Sequence, residues 1–394
     1  MTESVSIGSR VAANRKLIGL TQTQLAVASN YSVSYVRAVE QGREPASPAF
    51  TAAVARVLRL EPEELTGTPY RDTLDEEGRL EGMTELRSIL TEGTYVRPAP
   101  PIAFADMAEE MAAVHRVYRN DNGRLALQRL PVLMRQLYGA LRETTSETEQ
   151  GDIYSLLAAG YVTAERLCRR FGYTALSLPA VDRLESVAAQ ASDPLYVAQA
   201  KVKRARLLMY LDATDVSLSL VDAGLSVVSG DGDRATVVRG YSHLCGAIAA
   251  ARGRKPDVAR AHIAEAQKLA ERITGESDHY GTLFGVGNVG IHACAVELEA
   301  GDPGKAAQAG SALELPTGIA PPRVGHHWQD TARAWLLAGH PHKALDALNR
   351  ARKVAPQQTR LHPSVRETVR GIAEAERRKS DSLASFAGWV GVSL

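Results

Sequence analysis

Two rhythms of apolar positions run along this chain. Up to residue 66 they come in short helical bursts, each bounded by a residue that starts or stops a helix. Ile7 to Leu17 reads as one helix, stopping near Gly19. Thr21 opens a second as its N-cap, with Gln24 three residues on in capping-box spacing, and Leu25 and Ala26 supply its apolar side. Ser29-Asn30-Tyr31 interrupts the pattern, and Ser32 caps a third helix whose buried stripe is Val36 and Val39 and whose end is Gly42. Its other face is expected to show Val33, Ser34, Arg37 and Ala38 to solvent. Ser47 to Leu58 makes a fourth helix with Phe50 and Val54 on one side, and Leu60 to Leu65 a last short turn. Five such helices in about 65 residues can share one small core. A short helix held by its back and free at its front has the geometry that enters a DNA major groove.

From residue 105 onward the rhythm lengthens into amphipathic helices joined by short turns. Turns recur near Gly172, Asp212, Gly253, Gly301 and Gly339, at separations of 40, 41, 48 and 38 residues. A period near 40 with two helices per period is the signature of a solenoid. Residues 67–104 read as a linker, with Gly67, Pro69, Gly78, Gly82, Gly93 and Pro98-Ala99-Pro100-Pro101, interrupted by one short helix from Met83 to Leu90. The expected organisation is all-α: a five-helix unit at 1–66, the linker at 67–104, and an α-solenoid of helix pairs at 105–394.

Composition agrees with an all-α chain. Aromatics make up 5% of the 394 residues, and alanine, leucine and arginine are abundant. No stretch approaches a membrane-spanning length, and the polar start does not read as a signal peptide, so a cytoplasmic protein with no membrane partner is expected. Cys168, Cys245 and Cys294 are widely spaced and read as small buried thiols in a reducing compartment. Net charge is only +1, yet residues 1–60 carry seven Arg and Lys against three Glu. Residues 61–82 reverse this, with eight Asp and Glu against two Arg. A basic head before an acidic connector suits a head that meets phosphate on one side.

The N-terminal stretch resembles the helix-turn-helix domain of phage repressors and Cro, the XRE family, at Arg10, Val11, Arg15, Leu20-Thr21-Gln22, Leu25-Ala26, Ser32, Val36, Val39-Glu40 and Gln41-Gly42-Arg43. The resemblance implies an internal pair between Arg15 and Glu40. It places Gln22 at a helix N-terminus against phosphate or a base edge, Val33, Ser34 and Ala38 toward the bases, and Arg43 toward the DNA backbone. With Thr23, Ser32, Tyr35 and Arg37, these form the expected DNA-binding set. Several members of the family carry glutamine where this chain has Val33 and Ala38. Valine and alanine can meet a thymine methyl but make no bidentate hydrogen bond, so readout is expected to lean on Gln22, Ser34, Arg37 and DNA shape.

Residues 330–348 resemble a tetratricopeptide repeat, with Gly339 ending one helix and Ala344 packing the next against it. Together with Phe284 to His292 and the ending Phe386 to Val392, the whole arrangement resembles an actinobacterial group of such heads followed by tetratricopeptide-like repeats. A similar architecture occurs in regulators that bind quorum-sensing peptides. That implies a sensor body with a peptide or small-molecule effector, and it names no signal.

The concave face of a solenoid is the default ligand site. Asn288 and His292 lie four apart on one helix face, near Gly281, Gly285, Gly287 and Gly290, whose lack of side chains suits close approach of a neighbouring helix or a ligand. Tyr241, Asn288, His292 and His327 are the candidate ligand contacts. The other reading of Asn288 and His292 is that they brace neighbouring turns within the repeat. His326, His327, His340 and His342 have no Cys or Glu-x-x-His companion, so no metal site is expected. No phosphate loop follows a strand and no nucleophile–base pair can be placed, so neither cofactor nor enzymatic activity is expected. The sequence thus points to a homodimeric regulator that binds double-stranded DNA. The alternative is an interaction scaffold in which DNA binding is secondary or lost.

Overall fold

In the computed structural model, which describes residues 6–67, 80–376 and 380–392, every regular element is a helix. The head comprises α1 (Ile7–Leu17), α2 (Gln22–Ser29), α3 (Val33–Glu40), α4 (Pro48–Leu58) and α5 (Pro62–Thr66). Its boundaries use the chemistry read from the sequence. Thr21 N donates to Gln24 Oε1 at 2.8 Å and Gln24 N donates to Thr21 Oγ1 at 3.2 Å, a reciprocal box that satisfies backbone donors α2 cannot pair internally. Ser32 accepts from Tyr35 N at 3.1 Å and Ser47 from Phe50 N at 3.0 Å, capping α3 and α4. Asn30 ends α2 at φ +59, a left-handed conformation that asparagine tolerates well. Val11, Leu25, Val36, Phe50, Val54 and Leu65 are fully buried among one another. α1 crosses α3 at Gly8, where any Cβ would collide with the Val39 carbonyl.

Two positions of α3 depart from the expected exposure. Ala38 is only 8% exposed, and half-buried Val33 packs against the head core. Beyond Gly42 (φ +71) the chain doubles back, so the amides of Arg43 and Glu44 donate to the Ala38 carbonyl at 2.8 and 3.3 Å and cover that side of the helix. The outward face is narrower than helical periodicity alone implies.

α6 (Met83–Glu92) is built into the body rather than spanning a connector. Met83, Leu86, Ile89, Leu90 and Val96 are buried in the same apolar cluster as the first repeats. The Leu86, Ile89, Leu90 stripe faces them at helical spacing. The acidic residues Asp72, Asp75, Glu76 and Glu77 lie outside the described residues.

Six helix pairs follow: α7 (Phe104–Arg119) with α8 (Gly123–Glu143), α9 (Glu147–Arg170) with α10 (Thr174–Ala188), α11 (Leu195–Tyr210) with α12 (Thr214–Ser226), α13 (Asp233–Arg252) with α14 (Pro256–Ala270), α15 (Val286–Glu299) with α16 (Pro303–Ala312), and α17 (Pro321–Leu337) with α18 (Pro341–Val354). α19 (Pro356–Leu361), α20 (Pro363–Ala375) and α21 (Asp381–Val390) complete the chain. Every intra-pair turn passes through a left-handed residue: Asp121, Gly172, Asp212, Arg254, Gly301 and Gly339, with φ from +58 to +93. Five of these turns fall where the period placed them, although at the fourth the left-handed residue is Arg254 and not Gly253. The first, at Asp121, carries no glycine at its left-handed position.

α11, α13, α15 and α17 pack on one another in succession as the inner layer. The stack closes on itself. Asp121, in the first turn, accepts from the amides of Gln357 and Gln358 at 2.8 and 3.0 Å, and Arg119 donates to the Gly318 carbonyl at 3.1 Å. Between α14 and α15 the chain crosses the inner layer. Gln199 donates to the Tyr280 carbonyl at 3.0 Å, and the Tyr280 hydroxyl donates to Asp193 at 2.7 Å. Phe284 anchors this crossing by lying on Gly240, where a Cβ would strike its ring. The head rests on the ends of the inner helices. α4 meets α11, Arg56 pairs with Asp212 at 2.8 Å, and Arg254 donates to the Asn30 carbonyl and lies 5.1 Å over the Tyr31 ring.

Candidate nucleic-acid interface

Glu40 organises the interface from beneath. Its carboxylate receives Arg15 Nε at 2.6 Å, Arg15 Nη2 at 2.8 Å and Gln22 Nε2 at 2.8 Å. The pair implied by the family resemblance is present, and both side chains are buried, at 9% and 4% exposure. Burial alone raises the Glu40 carboxyl, but the Arg15 and Gln22 hydrogen bonds outweigh it and hold the group below its ordinary value. Arg15 also donates to the Leu20 carbonyl at 2.7 Å, tying α1 to the start of α2.

Gln22 is therefore occupied at both ends. Its amide nitrogen serves Glu40, and its oxygen accepts from Arg37 Nε at 3.4 Å, an orientation assigned from these partners. In this arrangement Gln22 positions Arg37. Tyr35 is a core pillar: its ring meets Phe50 edge-on at 5.1 Å, and its hydroxyl donates to the Pro45 carbonyl at 3.3 Å. Burial raises its phenol pKa. Of the nine expected positions, Thr23, Ser32, Ser34, Arg37 and Arg43 are exposed, Gln22, Val33 and Tyr35 are half-buried, and Ala38 is buried. The solvent face of α3 thus reduces to Ser34 and Arg37, flanked by the Ser32 cap, Thr23 and the Arg43 side chain, which donates to Gln41. A hydroxyl and a guanidinium side by side can donate to phosphate oxygens and to guanine O6 and N7.

The candidate ligand residues separate. Asn288 is 2% exposed; its Nδ2 donates to the Leu283 carbonyl and its Oδ1 accepts from Arg323 Nε, each at 2.5 Å. His292 Nδ1 lies 3.0 Å from Arg323 Nη2, and the Tyr241 hydroxyl accepts from Arg206 at 3.1 Å. The same His292 Nδ1 lies 2.9 Å from the Asn288 carbonyl, and burial, then Arg323, push the imidazole well below its ordinary value. His327 lies apart: it is 1% exposed and bonded to the Gly310 carbonyl at 2.9 Å. α15 begins at Val286, so Gly281 and Gly285 precede the helix. Gly287 and Gly290 admit the side chains of Ile319 and Leu313.

Sequence reading missed Arg206 and Arg323, because nothing local marks them; each acquires its role from helices about one repeat away. Among the described residues, no three His, Cys, Asp or Glu side chains gather closely enough to hold a metal. No helix among them is long and apolar enough to cross a membrane.

Comparison with solved structures finds BtubC (BKLC) from P. vanneervenii, at 13% identity and a TM-score of 0.38, covering 64% of this chain and 91% of that one. It also finds Bacillus thuringiensis PlcR, in a complex with the peptide PapR7 and DNA, at 13% identity and a TM-score of 0.36, covering 88% of this chain and 100% of that one. No curated protein matches the chain. Residues 6–66 match the family described as a helix-turn-helix domain, and the head is such a domain.

Proposed function

We propose that this chain is a sequence-specific, DNA-binding transcriptional regulator of the phage-repressor type, with no enzymatic activity of its own. The observation that carries this reading is the α3 surface: a helix locked from behind by Glu40 and Tyr35, with Ser34 and Arg37 turned outward within a helix-turn-helix domain. The basic balance of the head supports it. One head of this size buries too little surface for tight specificity, so the working form is a homodimer. The repeat body supplies the dimer contact and takes a peptide or small-molecule effector that changes the relation of the two heads. A ligand does this only by binding one arrangement more tightly than the other.

The loss of Val33 and Ala38 from the outward face favours a second reading, an interaction scaffold with little sequence selectivity. Selecting fragments of the native genome on the purified protein separates the two. The regulator reading expects a few enriched fragments carrying a paired motif, and a Ser34→Ala, Arg37→Ala variant that enriches none. Uniform recovery by both proteins would sink it.

A further inference from the structure

The inner layer of the body is rich in cations, and most are matched by carboxylates. Arg169 and Lys203 share Glu165 at 3.2 and 3.0 Å. Arg252 and Arg333 share Glu299 at 3.2 and 2.7 Å. Arg170 pairs with Asp121, the residue that closes the ring. Two arginines break the pattern. Arg206 reaches the Tyr241 hydroxyl, and Arg323 reaches Asn288 and His292. Among the described residues, neither has a carboxylate oxygen within 4.0 Å.

These two guanidiniums lie on α11 and α17, three pairs apart along the stack, and are linked through the helices between them: Arg206 reaches Tyr241 on α13, α13 packs on α15, and Asn288 and His292 of α15 hold Arg323. Burial first, then Arg206 and Arg169, push Arg323 down to about 10, although Asp330 opposes the shift. His326 lies beside Arg323, with its ring 5.2 Å from that of His362, and both imidazoles are held far below their ordinary values by burial. The opposing charges are remote: Asp330 acts on Arg323, and, against burial, Tyr241 and Glu165 hold Arg206 above its ordinary value, but no carboxylate touches either guanidinium among the described residues. Arg206 and Arg323 are half-buried, so solvent reaches them, but ring closure and the crossing segment at Tyr280 enclose the region. A partly desolvated arginine with no carboxylate in contact carries a cost that an anion relieves, and its planar fork matches an oxyanion.

We propose that the interior of the ring binds the anionic group of a small ligand, a carboxylate or a phosphate, between Arg206 and Arg323. This deepens the effector reading above and rests on it only for the consequence of binding. Asn288, His292 and Tyr241 orient the two arginines from the side away from the ligand.

The test uses the full-length protein without DNA, at constant ionic strength set with sodium chloride. The midpoint of thermal unfolding is followed with citrate, with inorganic phosphate, and with triglycine against its C-terminal amide. At least one anion at about 100 times its dissociation constant is expected to raise the midpoint by about 3 °C. The phosphate and citrate arms separate the two anion classes, and the amide shows whether a peptide terminus suffices. Arg206→Gln and Arg323→Gln are expected to abolish the shift, while Arg260→Gln, on the outer surface, retains it. If a glutamine variant fails to fold, phenylglyoxal labelling of the unmodified protein replaces it. The anion is then expected to protect Arg206 and Arg323 by at least threefold. No shift from any probe, an equal shift in the glutamine variants, or no protection overturns the proposal. Binding that leaves DNA affinity unchanged supports the site and counts against the effector reading alone.

Discussion

The head and the body handle buried charge in opposite ways. In the head one carboxylate, Glu40, is saturated by Arg15 and Gln22, and the polar groups that remain point outward from α2 and α3. In the body the carboxylates run out first. Glu165 and Glu299 each serve two cations, and Arg206 and Arg323 are left to neutral partners. A saturated network fixes a geometry and lets the exposed residues do the recognising. An unsaturated one leaves room for a partner. On the proposals above, the head presents groups and the body receives one.

Removing the organising carboxylate of the head is expected to have the largest effect. Glu40→Ala strands the buried Arg15 guanidinium and frees Gln22, at a cost of about 3–5 kcal/mol, enough to unfold a domain of this size. Chemical denaturation followed by an α2–α3 probe would show an early transition of the head that the body does not share. A single unchanged transition would show that the head does not depend on Glu40.

The corresponding change in the body is milder. Glu299→Gln keeps the volume and some hydrogen bonding between Arg252 and Arg333, and is expected to cost about 2 kcal/mol. It also has a pH signature. Burial raises Glu299, but the two arginines outweigh it and bring it to about 2, against an ordinary 4.5. A depressed folded value means that its stabilisation is complete above the ordinary value and is lost as pH falls from about 4.5 through about 2. Unfolding midpoints across that window are expected to fall more steeply for the wild-type protein than for Glu299→Gln. Parallel curves would contradict the assignment.

The smallest effect concerns the border of the recognition face. Ala38→Gln introduces the side chain found there in several members of the phage-repressor family that the head resembles, but here it meets the loop that folds back over α3. An overpacking cost of about 1–2 kcal/mol is expected, with no gain in DNA affinity. A tighter complex at unchanged stability would return Ala38 to the reading face.

What the sequence disclosed follows the same division. Caps act within three or four residues, so Thr21, Ser32 and Ser47 marked the helices of the head within a residue or two. The turns at Gly172, Asp212, Gly301 and Gly339 were legible because a left-handed turn leaves a local trace. Asp121 has the same conformation but lies 51 residues before Gly172, outside the period near 40, and α6 looked like a connector because glycines and prolines surround it. Ala38 was misplaced because helical periodicity ignores the chain just past the helix end, where Arg43 and Glu44 fold back onto its carbonyl. The lining of the ring was the least legible, since Arg206 meets Tyr241 and Arg323 meets Asn288 only after the repeats have stacked.

The central claim is that Ser34 and Arg37 of α3 carry DNA recognition while Gln22 holds Arg37 in place. Fluorescence anisotropy on a selected fragment, titrated with salt, tests it most directly. Arg37→Ala is expected to weaken binding about tenfold or more, and to flatten the slope of log K against log salt by about one if its contact is to phosphate. Gln22→Ala is expected to produce a smaller loss in the same direction. Affinity and slope unchanged in Arg37→Ala would contradict the account.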